Sequence, residues 1–157
     1  MYKTLIVVDH NEQALSQQFS DVITFDTYLN DYPKFNEPKT RIINLCDTEN
    51  YLSKGYYCSL LAEARRHLVL PSVKTINELR HFSQTGQSTI VLKPVEKQLL
   101  PEQASGSVIS YFGLSDVAEL NALTRSLFDK YAAPILKLSI DTLNDRNLNT
   151  ADDNKLE

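Results

Sequence analysis

The sequence predicts an α/β fold, one domain with a mostly parallel or mixed sheet flanked by helices. Short runs rich in β-branched residues, "KTLIVV", "TRIINLC" and "ILKLSI", alternate with helical patterns. The first of these runs is continuously apolar, as in a strand buried on both faces of a parallel sheet. The length of 157 residues suits one domain with a core of its own. No internal repeat is visible.

The elements follow in order. Lys3 to Val8 reads as a buried strand, broken by Asp9-His10-Asn11. Glu12 to Phe19 fits a short helix, and Asp21 to Phe25 a second strand. Asp26 to Lys39 fits neither pattern, with Pro33 and Pro38 as breakers. Thr40 to Cys46 is the best-marked strand. A helix starts at Ser53 or Lys54 and runs toward His67, followed by a short strand in "LVLPS". Val73 to Phe82 is helical in its spacing. Residues 83–106 form a long irregular excursion, punctuated by Gly86, Pro94, Pro101 and Gly106, with only Ser88 to Leu92 patterned. Ser107 to Phe112 is a strand. Ser115 or Asp116 then caps a helix with apolar Val117, Leu120, Leu123, Leu127 and Phe128. Pro134 closes that region, and Ile135 to Ile140 is the last strand. Residues 1–141 thus make the domain, and 142–157 a polar, Asn/Asp-rich linker or tail. A cloning origin for the closing Leu156-Glu157 would make the chain a cut piece of something longer.

Composition excludes several classes. A 42% hydrophobic and 23% charged make-up fits a globular protein. A net charge of −4 argues against a nucleic-acid partner, because phosphate affinity needs concentrated Lys and Arg. Four apolar residues after Thr4 are too few for a signal core or a membrane span, so no membrane is expected. Cys46 and Cys58 make no disulfide framework, and reduced thiols imply a cytoplasmic location. His10, His67 and His81 stand at no metal-ligand spacing with a cysteine, so no metal is expected.

The densest stretch is "YLSKGYYCSLLAEARRH", Tyr51 to His67. Tyr57, Leu60, Leu61, Ala64 and Leu68 recur at helical spacing and are expected to face the core. Tyr56 lies off that stripe, beside Ser59, Glu63 and Arg66, with Glu63 and Arg66 three apart and able to pair. A strand feeds this helix, and ligands gather outside the carboxyl ends of strands in open α/β sheets. Helix N-terminal N–H groups favour anions. Ser53, Lys54, Gly55 and Tyr56 therefore make a candidate anion site, although the Lys-Gly order does not match a phosphate loop. Gly55 equally suits a packing or turn position. Arg65 sits on the flank, with a stem to pack and a head to reach a carboxylate. Asp9-His10 reads as a surface turn at a strand end, and Cys58 as a small buried residue.

"INLCDTENYLSKGYYCSLLAEARRHLVLPSV", Ile43 to Val73, resembles the signature of the domain that precedes the catalytic part of RimK-like ATP-grasp ligases. Its elements are Asn44-Leu45, Tyr51, Gly55-Tyr56-Tyr57, Ser59 to Arg65 and Pro71-Ser72. "VISYFG" and "LTRSLFDKYAAPILKLSI" resemble the family's closing strand, helix and strand. The likeness runs from Arg41 to Ile140, apart from residues 83–106. It implies a two-part protein whose catalytic part uses ATP and magnesium to join a carboxylate to an amine in peptide or glutamate addition. That ATP-grasp part is not recognisable in this chain, so no catalytic residue and no cofactor is expected here. The resemblance assigns no chemistry to this part, and Asn44, Tyr51, Ser53, Lys54, Gly55, Tyr56, Ser59, Glu63, Arg65 and Ser72 are the candidates for substrate or interdomain contact. Expected partners are the chain's own C-terminal ATP-grasp part, an amino-acid or peptide substrate, or a second copy in a homodimer. A stand-alone small-anion module or a dimerising scaffold are the alternatives.

Overall fold

The first strand shows how the sheet is built. In β1 (Lys3–Val8), Leu5 and Val7 are buried, while Ile6 and Val8 on the opposite face are half-buried. β2 (Val22–Thr24) and β3 (Thr40–Asn44) flank it in parallel, and β4 (Leu68–Leu70) lies beyond β3. The order is β2-β1-β3-β4. The computed structural model describes residues 2–10, 21–33, 39–84, 89–90, 92–101, 105–140 and 148–149. The helix expected over Glu12 to Phe19 lies outside them.

Two helices pack on one face of this sheet, α1 (Phe25–Asp31) and α2 (Lys54–Ala64). Leu5, Val7 and Ile42 from the strands meet Phe25 and Tyr28 from α1 and Cys58 and Ala62 from α2. The α/β class and the parallel sheet agree with the sequence. The chain divides into two compact units, residues 1–76 and 77–157, with the division inside α3 (Val73–Gln84).

In the second unit the antiparallel component forms a sheet of its own. Its strands are β5 (Thr89–Ile90), β6 (Gly106–Tyr111), β7 (Leu114–Ser115), β8 (Ile135–Ile140) and β9 (Leu148–Asn149), in the order β5-β9-β8-β6-β7. β6 and β7 form a hairpin whose turn needs positive φ at Phe112 and Gly113, 50° and 79°. A short helix α4 (Pro94–Gln98) stands within the 83–106 stretch, with Pro at its first turn and the buried Glu96 carboxylate accepting from Lys93 N at 2.7 Å. α5 (Asn121–Lys130) buries Leu123 and Leu127 against Val108, Leu136 and Leu138. It starts later than Asp116, because a 3-10 turn (Ala118–Leu120) precedes it and Ser115 Oγ instead accepts from Val117 N. Val117 is consequently exposed.

Two expectations in the first unit change. Phe25 does not end a strand. It opens α1, because Thr24 Oγ1 accepts from Thr27 N at 3.1 Å and caps the helix. That resolves part of the ambiguous 26–39 stretch. The core stripe assigned to the helix after Tyr51 is also inverted. Tyr57, Leu60, Ala64 and Leu68 are exposed and Leu61 half-buried, whereas Gly55, Cys58, Ser59 and Ala62 face the sheet. Both sets fit the spacing i, i+3, i+4, i+7. The small set wins because the helix lies close against the end of β3. Replacing Leu60 by Ala is expected to cost about 1 kcal/mol or less, far below a core truncation. Enlarging Ala62 to Leu is expected to cost about 1–3 kcal/mol by overpacking. Urea unfolding of the two variants checks the orientation.

Candidate functional site

The signature residues meet at the carboxyl end of β3. Asn44 is buried there, beside Val7 of β1. Its amide donates to Gly55 O at 2.7 Å and to Ser59 Oγ at 2.9 Å. Its Oδ1 accepts from Cys46 N at 3.1 Å. Ser59 Oγ in turn donates to Pro71 O at 2.7 Å, at the end of β4. Both Asn44 amide donors are therefore spent, and so is the single hydroxyl proton of Ser59. One buried side chain ties the ends of two strands to the first turns of α2.

The loop from Leu45 to Leu52 is wound around Asp47. Its N–H donates to Asp9 Oδ2 at 2.7 Å, its Oδ1 accepts from Glu49 N at 2.8 Å, and its Oδ2 from Asn50 Nδ2 at 2.6 Å. Its carbonyl accepts from Gly55 N at 2.9 Å. A Cβ at Gly55 would drive into that carbonyl and lie 2.7 Å from Thr48 Cγ2, so only glycine permits the approach. Asp9 and Asp47 thus matter to the site although the candidate set omits them. The signal in the sequence is an Asp followed two and three residues on by Glu49 and Asn50, an Asx-turn composition.

The anion reading of the helix mouth meets occupied donors. Gly55 N is taken by Asp47 O, and Tyr56 N points to Ser53 Oγ at 3.4 Å, which makes Ser53 the N-cap. Lys54 pairs with Asp26 at 3.8 Å, both side chains well exposed, a contact worth about 0–1 kcal/mol. Tyr56 is half-buried by its own chain, with its ring edge-on to Tyr57 at 5.9 Å. Tyr51 is 74% exposed.

The remaining candidates serve as ties between helices. Glu63 does not pair with Arg66. Its Oε1 accepts from Val73 N at 2.8 Å, at the start of α3, where a carboxylate suits the helix dipole. Ser72 Oγ accepts from Thr75 N at 3.1 Å in the same turn. Arg65 donates to Tyr28 O at 2.7 Å and Leu29 O at 2.9 Å, two of the last carbonyls of α1. Its guanidinium also stands 4.9 Å from the Tyr28 ring centre, and the Tyr28 hydroxyl meets His67 Nδ1 at 2.7 Å. The structure therefore gathers Asn44, Gly55 and Ser59 into one knot. It spreads Lys54 and Tyr51 along the rim and Arg65 to the far end of the helix.

Cys46 and Cys58 are both buried. The Cys58 thiol hydrogen-bonded to Cys46, and then burial, push the Cys46 thiol far above the ordinary thiol range. It is thus a poor nucleophile. Among the described residues no three of His, Cys, Asp and Glu gather to hold a metal ion. Among them, no helix is long and apolar enough to cross a membrane.

Asn44→Asp puts a carboxylate oxygen against the Gly55 carbonyl and removes a buried donor, with an expected loss of about 2–4 kcal/mol in urea unfolding. Cys46 is expected to resist alkylation at pH 8 until the chain unfolds, as mass spectrometry after iodoacetamide labelling can read. Its raised folded pKa also sets a sign. The associated stability is complete below the unfolded thiol value of about 8.5 and falls as pH rises above it, because only the unfolded thiol then ionises.

A family model described as the RimK-like ATP-grasp N-terminal domain matches residues 25–156, including most of the polar 142–157 stretch. No curated protein and no solved structure matches the chain.

Proposed function

Since the chain belongs to the RimK-like ATP-grasp N-terminal domain family, the N-terminal part of RimK-like ATP-grasp ligases, we propose that it is a non-catalytic accessory domain of such a ligase. In this reading it docks the catalytic part and holds it in place, and the chemistry lies in that part. There ATP with magnesium would supply the phosphoryl group that turns a carboxylate into an acyl phosphate, with ADP released. An amine would then displace phosphate from the acyl carbon to form an amide or peptide bond. Amino acids or peptides are the substrate class, and the ATP-rich cytoplasm is the matching compartment.

One observation carries this reading. The polar groups of the signature are spent inside the fold: Asn44 on Gly55 and Ser59, Ser59 on Pro71, Glu63 on Val73, and Arg65 on α1. A site built for substrate would keep such donors and acceptors facing a cavity. The stand-alone anion module loses its donors in the same way, since Gly55 N and Tyr56 N are engaged.

The 157-residue chain, incubated with ATP, magnesium and mixed amino acids, is expected to release no ADP above the uncatalysed background in a coupled assay. In a longer chain that carries both parts, deleting residues 1–157 is expected to abolish amide formation while nucleotide still binds the remainder. Turnover by the short chain, or full ligation without the domain, would remove the accessory reading.

A further inference from the structure

We draw no further inference here: the strongest candidate, the apolar patch that Ile109, Tyr111, Leu114 and Ile135 form on the outer face of β6, β7 and β8, is an unpartnered sheet face, and nothing in the structure shows what covers it.

Discussion

The first unit depends on one buried amide. Asn44 ends β3 with its side chain aimed at α2, where its two N–H bonds reach Gly55 O and Ser59 Oγ. An amide left unpaired in that position would cost several kcal/mol, about 2–7 by transfer measurements. Made in full, each bond contributes only about 0.5–1.5 kcal/mol net. The knot therefore adds little to stability and a great deal to specificity, since any other placement of α2 leaves the amide unsatisfied. It sets the helix at one height and one rotation over the sheet.

That rotation explains the rest of the helix. Close approach to β3 demands small residues inside, which Gly55, Cys58, Ser59 and Ala62 provide. The side chains on the flanks then reach the neighbouring helices, Arg65 to the carbonyl end of α1 and Glu63 to the amide end of α3. Each contact matches the helix dipole, a cation at a C-terminus and an anion at an N-terminus. The long motif thus owes its length to internal partners spread over three helices and two strand ends.

These partners also explain what the sequence made legible. The α/β class, β1, β3, β6 and β8 were readable because their apolar runs are long and bounded by polar residues. The rotation of α2 was not, because two stripes share the same period and hydrophobicity points to the larger one. Steric closeness at Gly55 decides for the smaller, and that closeness depends on Asp47 and Thr48, which periodicity does not weigh. Arg65 lies 37 residues from Tyr28, so its role at α1 had no local signal. α1 itself was hidden because Thr24 both ends a strand and caps a helix. α4 was hidden by its length of five residues and its proline.

The inverted helix has an energetic consequence. Full burial of a large apolar side chain is worth about 1.5–3 kcal/mol relative to exposure. With Tyr57 and Leu60 well exposed, the isolated domain forgoes part of that at each. A fold free to optimise itself alone would rotate the helix and recover it, and the Asn44 knot forbids the rotation. The sequence thus maintains a polar constraint whose effect is to keep large apolar side chains outside, on an element tied to the sheet and both neighbouring helices. Such an element presents its outer face rigidly. A rigid apolar face loses little conformational entropy when it is covered.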